Sequence, residues 1–176
     1  MNQNTIGDEP IGGTTIDDAN CIGLPGGERR RRSPGRRSPE QRERLLWSAG
    51  VFFAIGTTIH MIDHLRRGQG SVTEFLYLMG NIGTILQVAT ITLILTRHRL
   101  APYAAVAAGF PLAIGFGVAH WLPHWSAMSD PVWEIDSWRW FSYIASSVEI
   151  LGALGIALVG VAALRAGPFS ETVEPG

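Results

Sequence analysis

The sequence predicts an all-α membrane protein, in which four transmembrane helices form an antiparallel bundle behind a disordered N-terminal tail. Four runs of the chain are almost free of charge and are long enough to cross a hydrocarbon core, which takes about 20 residues of helix. Their residues are apolar on nearly all sides, whereas helices of a soluble protein usually keep a polar face. The connections between the runs are also short. These observations favour membrane helices over the helices of a soluble domain.

Residues 1–44 differ sharply from the rest of the chain. Gly, Pro, Ser, Asp and Arg alternate there without helical or strand periodicity, which predicts a disordered cytoplasmic tail. A polybasic run within this tail is expected to bind anionic lipids of the inner leaflet, through Arg29, Arg30, Arg31 and Arg32. The run has no interleaved aromatic residues and no folded domain around it, so nucleic-acid binding is not expected.

Residues 45–165 form the predicted transmembrane domain, and residues 166–176 form a short cytoplasmic tail. The first span starts at Leu45, where the composition changes abruptly, and charged loops separate the later spans. Pro111 lies in the middle of the third run and is expected to kink that helix. The predicted spans cover residues 45–64, 75–96, 101–122 and 141–164.

The arginines predict the orientation of the bundle in the membrane. All 14 basic residues are arginine, and basic residues near helix ends are retained on the cytoplasmic side. With both termini inside, eleven arginines lie on the cytoplasmic side and three lie outside: Arg66, Arg67 and Arg139. Tryptophans cluster around the second outer loop, as expected at a headgroup boundary. We therefore predict a multi-pass protein of the plasma membrane with two cytoplasmic termini.

A single cysteine limits the redox chemistry of the chain. Cys21 lies in the polar tail, and one cysteine cannot form an intramolecular disulfide, a CxxC redox pair or a multi-cysteine metal site. Thiol-based oxidoreduction within the chain is thereby excluded.

Two histidine pairs form the most informative motif. The stretch HMIDHLRRG holds His60 and His64, and AHWLPHW holds His120 and His124, each at the outer end of a predicted span. Histidines at positions i and i+4 of a helix project from one face, about 6 Å apart along the axis, and can bind one metal ion. Together with Glu149, these imidazoles would suit zinc, iron, copper or manganese.

Carboxylates near these histidines are candidates for acid or base chemistry. Glu149 lies about 12 Å below the outer boundary by helix rise, and a charge at this depth is expected to face the bundle interior. Asp63 lies between the histidines of the first pair and could bind a metal ion or orient one of its ligands. The predicted pocket also includes Asn81, Trp121 and Trp125.

Alternatives to a metal site remain open. Pro123 disfavours helical geometry in the preceding residue, so the third helix could end near Leu122 and leave His124 in a loop. The histidines could instead be structural residues at the headgroup boundary, or could relay protons or sense pH. A bis-histidine haem b is a further alternative, for which His60 and His120 lie at the most suitable depths.

The leading hypothesis for function is an outward-facing pocket that binds a metal ion or the headgroup of a lipid or quinone. If the protein is an enzyme, metal-assisted hydrolysis or redox chemistry is expected, with Glu149 or Asp63 as acid or base. A second hypothesis is a non-catalytic structural or assembly subunit of a membrane complex. A third is a small proton-coupled transporter that uses Glu149 and works as a homodimer. The aromatic segment 126–140 could cover the pocket as a short helix or only anchor its loop.

Overall fold

The structure, a computed structural model, describes residues 38–166. These residues include the whole of the predicted transmembrane domain, 45–165. The predicted disorder of nearly all of the N-terminal tail and the expected lipid contacts of Arg29, Arg30, Arg31 and Arg32 lie outside the described residues. The predicted C-terminal tail beyond Ala166 also lies outside them.

Four long helices dominate this part of the chain: α1 (Pro39–Arg67), α2 (Glu74–Leu95), α3 (Ala101–Trp121) and α4 (Arg139–Arg165). Two short 3-10 turns lie in the loops, at Gln69–Ser71 and Val132–Glu134, and residues 38–166 contain no strand. Each long helix has the length and apolar composition needed to cross a membrane. The predicted all-α fold with four membrane helices is confirmed, and the chain is a multi-pass membrane protein.

α1 begins at Pro39, so residues 39–44, which were predicted to belong to the disordered tail, are helical, because polar capping extends the helix beyond its apolar part. The Ser38 hydroxyl accepts a hydrogen bond from the Gln41 backbone N–H at 3.2 Å, and the Gln41 side chain accepts one from the Ser38 N–H at 3.2 Å. Pro39 at the first helical position is already in helical geometry. The charged residues before Leu45 are too polar to belong to a membrane span, but they form the first turns of the same helix.

α3 ends at Trp121 because of the proline two residues later. Leu122 adopts an extended conformation (φ −103°, ψ 155°), as a residue before Pro123 prefers. The following loop contains no α-helix before Arg139, only the 3-10 turn Val132–Glu134. It returns to the bundle at Asp130, whose backbone N–H donates to the Ala119 carbonyl at 2.8 Å.

α4 is the helix around which the bundle is built. It packs extensively against both α1 and α3. A Cβ atom on Gly152 would lie 2.9 Å from Phe53 Cα, and one on Gly109 of α3 would lie 2.6 Å from the Ala153 carbonyl oxygen. Small residues at such crossings let helix backbones approach closely, which drives helix association in lipid.

α2 packs against the bundle with only one half of its length. Its buried residues, Gln87, Thr90 and Ile94, all lie in the second half, whereas its first half buries no side chain. Beside the first half lies a cavity of about 370 Å³, bounded mainly by α1, α2 and α3. This cavity lies toward the end of the bundle where α1 and α3 end and α2 and α4 begin, which is called the histidine end below.

We predict that Gly152→Ala destabilises the bundle, because the added methyl group would overlap the α1 backbone. The free energy of unfolding should fall by roughly 1–3 kcal/mol, as is usual for overpacking. Thermal unfolding in detergent measures the change. Gly155→Ala on the same helix is the matched control, because a Cβ atom there meets nothing within 4 Å. Equal destabilisation by both substitutions would contradict this account of the crossing.

Candidate metal centre

Three histidines converge at the histidine end, two from α1 and one from α3. His60, His64 and His120 each offer a ring nitrogen, and these atoms all lie within 4.8 Å of one another. The Nε2 atoms of His60 and His64 are 3.0 Å apart, and the rings of His60 and His120 have a centroid distance of 4.9 Å. The i, i+4 spacing places the first two rings on one face of α1, and α3 supplies the third.

The separations between the ring nitrogens are close to those that a metal ion needs. Zinc binds imidazole nitrogens at 2.0–2.1 Å in a tetrahedral arrangement, which places its ligand atoms about 3.4 Å apart. The distance between His60 Nε2 and His64 Nε2 is slightly shorter, at 3.0 Å, and the 4.8 Å limit of the whole set is longer. The side chains would have to rotate to bring all three nitrogens to one ion.

In two of these histidines, the Nδ1 atom, which is turned away from the other imidazoles, faces an oxygen atom. His120 Nδ1 lies 3.0 Å from the backbone carbonyl oxygen of Asp130, to which it can donate a hydrogen bond. His60 Nδ1 lies 3.2 Å from Glu149 Oε2, outside hydrogen-bond geometry, and neither atom has a hydrogen-bonding partner among the described residues. Metal-binding histidines commonly donate their second N–H to such oxygens, which fixes the tautomer and the ring orientation. His120 Nε2 is thereby left to bind an ion, whereas His60 Nε2 is within hydrogen-bond distance of His64 Nε2, and an ion would replace that hydrogen bond.

A glycine on α1 allows Glu149 to reach His60. A Cβ atom on Gly56 would lie 3.0 Å from the Val148 carbonyl oxygen and 3.1 Å from Glu149 Cα. Gly56 is one turn before His60, so the backbones of α1 and α4 are in contact just below the imidazole. Gln87 of α2 lies close to the Glu149 carboxyl group. Three helices thus meet at this carboxyl group.

The three histidines lie on the wall of the cavity. His60 and His120 are buried, and His64 is half-buried. Phe116 packs beside them, with its ring centroid 5.5 Å from that of His60 and 6.3 Å from that of His120. Glu149 lines the same cavity. A metal ion held by three imidazoles would therefore have a coordination position open toward the cavity.

Two ion pairs hold the histidine end together. The buried Asp63 carboxylate accepts a hydrogen bond from Arg66 at 2.7 Å and one from the Ser142 hydroxyl at 2.9 Å. Arg67 donates two hydrogen bonds to the Asp130 carboxylate, one of them 2.7 Å long. The first pair lies within α1, and its hydrogen bonds with Ser142 tie the end of α1 to the start of α4; the second pair ties the end of α1 to the loop after α3. Asp63 is engaged in this network and does not line the cavity.

Asp130 connects the ion pairs to the imidazoles, since its carbonyl oxygen faces His120 while its carboxylate binds Arg67. Burial alone would raise the pKa of the Asp130 carboxyl, but the hydrogen-bonded Arg67 guanidinium outweighs burial and holds the pKa below its usual value. The carboxylate therefore stays ionised at neutral pH, and the ion pair persists.

The structure separates some of the predicted site residues from the cluster. His124 is exposed in the loop, because Pro123 prevents α3 from continuing, and it lines a second, polar cavity. Trp121 and Trp125 are exposed and do not line the cavity beside the histidines, whereas Asn81 does. The predicted residues that the structure brings together are His60, His64, His120 and Glu149.

The predicted pocket left out two residues that surround this cluster, Asp130 and Gln87. Asp130 follows His120 through an irregular loop, so no periodic pattern connects the two positions. Gln87 lies within a predicted span and is 3 % exposed. A polar amide in the middle of an apolar helix usually faces another helix, and this was a signal that could have identified Gln87.

The ring geometry disfavours a bis-histidine haem. Axial histidines lie on opposite sides of the haem plane and bind the iron from each side. The rings of His60 and His120 instead contact each other edge to face, with their planes at 66°. This contact leaves no space for a macrocycle between them.

Comparison with known protein families, curated proteins and solved structures finds no match for this chain. The chemistry of the histidine cluster is therefore the basis on which a function can be inferred.

We predict that Asp130→Asn destabilises the protein, because it leaves the buried Arg67 guanidinium without its carboxylate partner. Loss of a buried ion pair lowers the free energy of unfolding by about 3–5 kcal/mol. The Asp63 carboxylate lies 3.9 Å from Arg67 and remains as a second partner, so the loss should be about 2 kcal/mol. Thermal unfolding in detergent measures the difference from wild type. This difference should be fully present above about pH 4, where an aspartate of the unfolded chain titrates, and should be lost as the pH falls below it toward the lowered pKa of native Asp130.

Asp136→Asn is the control for this prediction. The Asp136 side chain is fully exposed and lies 3.8 Å from Arg139, so its substitution should leave the unfolding temperature unchanged. If Asp130→Asn were as stable as wild type at neutral pH, the proposed importance of the Arg67 pair would be wrong.

Proposed function

We propose that this protein binds a transition-metal ion at the histidine end through His60, His64 and His120. The observation that carries the proposal is the convergence of three imidazoles. In two of them, His120 and His60, the Nδ1 atom lies beside an oxygen of Asp130 or Glu149. Imidazole suits zinc, copper, iron and nickel, and three histidines with one open position are a known ligand set of catalytic zinc. Zinc and copper are therefore the first ions to test.

The open coordination position would face the cavity, so a molecule in the cavity could bind the ion directly. Glu149 lines the cavity and lies beside His60, which places it to exchange a proton with such a molecule. Asp63, the other predicted acid or base, is engaged by Arg66 and Ser142. Metal-assisted hydrolysis or redox chemistry on a membrane-soluble substrate is the class of reaction that this arrangement supports.

We expect the protein purified in mild detergent to bind one zinc or copper ion per chain. Glu149→Gln should weaken binding by roughly 10- to 100-fold, because it replaces the carboxyl group that lies 3.2 Å from His60 Nδ1. Alanine at His60, His64 or His120 should weaken binding further, because each substitution removes a ligand. Competition with a chromophoric chelator measures the affinity, and elemental analysis measures the stoichiometry.

His124→Ala is the matched control, because His124 is exposed and outside the cluster. It should bind metal as wild type does. Thermal unfolding of each metal-free variant separates loss of a ligand from loss of the fold. An equal loss of affinity in His124→Ala, or no stoichiometric metal after a metal-replete preparation, would refute the site.

We further propose that the histidine end faces the outside of the plasma membrane and that both termini are cytoplasmic. Among residues 38–166, three arginines lie at the histidine end: Arg66, Arg67 and Arg139. Basic residues are retained on the cytoplasmic side, so the arginine-rich end should be the inner one. Among residues 38–166, the arginines at that end are Arg42, Arg44, Arg97, Arg99 and Arg165.

The single native cysteine can test this orientation. A membrane-impermeant maleimide should label Cys21 only after the cells are permeabilised, because this proposal places the N-terminal segment inside. In a Cys21→Ser background, Asp136→Cys should be labelled in intact cells, because position 136 is fully exposed at the histidine end. The reverse labelling pattern would show that the histidine end faces the cytoplasm.

A further inference from the structure

The cavity beside the histidines has a polar region at its deep end. Thr57 of α1, Gln87 of α2 and Glu149 of α4 line it there, about 15–20 Å from the histidine end by helix rise. Asn81, nearer the histidine end of α2, lines it about 9 Å above Gln87 along the helix axis. The cavity therefore has polar side chains at two levels.

Three polar atoms of these cavity-lining residues make no hydrogen bond among the described residues: Thr57 Oγ1, and His60 Nδ1 and Glu149 Oε2, which lie 3.2 Å from each other. The residues are deeply buried, with exposed fractions of 9 %, 7 % and 1 %. Buried polar groups in proteins are nearly always hydrogen-bonded, and lipid cannot supply the missing bonds. A molecule in the cavity that carries a hydrogen-bonding group could supply a bond to Thr57 Oγ1 and to the Glu149 carboxyl group.

The rest of the wall suits a flat apolar ring. Phe116 lines the cavity, together with methionines from α1, α2 and the loop after α3: Met61, Met79 and Met128. Aromatic and thioether side chains make favourable contacts with aromatic rings. The volume of about 370 Å³ lies within the range of small-molecule sites.

Charge limits the occupant further. No arginine among the described residues lines the cavity, so a phosphate headgroup would find no counter-charge. A fatty-acid carboxylate would likewise find no arginine there. A plain hydrocarbon chain would leave Thr57 and Glu149 unpaired. The occupant expected from these contacts is neutral and has polar atoms on an apolar ring.

We propose that the cavity binds the headgroup of a lipid-soluble quinone or quinol. The ring lies beside Phe116, with one oxygen at Thr57 and Glu149 and the opposite oxygen toward Asn81. The first half of α2 buries no side chain, so a quinone in the lipid would enter the cavity beside this half of the helix. The inference goes beyond the metal site, because it depends on the cavity and applies equally to the metal-free protein.

The test is calorimetric titration of the chelator-treated, metal-free protein in detergent with a decyl-substituted benzoquinone, and we predict saturable binding. Thr57→Val should weaken this binding by roughly 2- to 10-fold, the effect of losing one hydrogen bond. Thr58→Val is the matched control and should bind as wild type does, because Thr58 is exposed and its hydroxyl donates to the Ala54 carbonyl at 2.8 Å.

A second pair of variants tests the place of binding. Gly115 lines the cavity and Gly117 does not, and a Cβ atom at either position meets nothing within 4 Å. Gly115→Phe should therefore weaken quinone binding by roughly 10-fold or more, since its ring would occupy the cavity. Gly117→Phe should leave binding unchanged.

Decanol, which has the same chain length without the ring, should bind far more weakly than the quinone. Equal binding of decanol, equal losses in Thr57→Val and Thr58→Val, equal losses in the two glycine variants, or no saturable binding would each overturn the inference. A separate zinc titration keeps the two proposals apart. Quinone binding without zinc binding would refute only the metal site, and zinc binding without quinone binding would refute only the quinone site.

Discussion

The backbone contact between α1 and α4 at Gly56 is the constraint on which the rest of the site depends. A glutamate side chain is short compared with the usual distance between packed helices, so the Glu149 carboxyl group reaches His60 only where the two main chains touch. Gly152 against Phe53 continues the same contact toward the other end of the bundle. Close packing therefore places the Glu149 carboxyl group beside an imidazole. Without this contact, the carboxyl group would be surrounded by hydrocarbon, which is costly for an ionisable group.

A single loop residue has a comparable role for the third histidine. Asp130 uses its backbone N–H to bind Ala119, its carbonyl oxygen to face His120, and its carboxylate to bind Arg67. These three interactions join the end of α3, an imidazole and the end of α1. The irregular loop after Pro123 is thus held against the bundle by hydrogen bonds and charge, although it has little regular secondary structure.

The extent of the helices could be predicted from sequence better than the arrangement of the polar residues. Uncharged runs identify membrane spans because the bilayer selects for them along the whole length of a helix. The capping of α1 by Ser38 depends on a few polar atoms and leaves no hydropathy signal. His60 and His64 are neighbours by helical spacing, but their approach to His120 depends on how α1 and α3 pack. Asp130 was beyond sequence reasoning, because no periodicity describes an irregular loop.

The position of Glu149 has a consequence for how the protein would respond to its ligands. This side chain lies beside a candidate metal ligand and also forms part of the cavity wall. An ion on the imidazoles and a molecule in the cavity would therefore both depend on the protonation and the orientation of the Glu149 carboxyl group. Thermodynamic linkage requires that each then alters the affinity of the other by an identical factor. The carboxyl group would in this way make the two neighbouring sites a single coupled system.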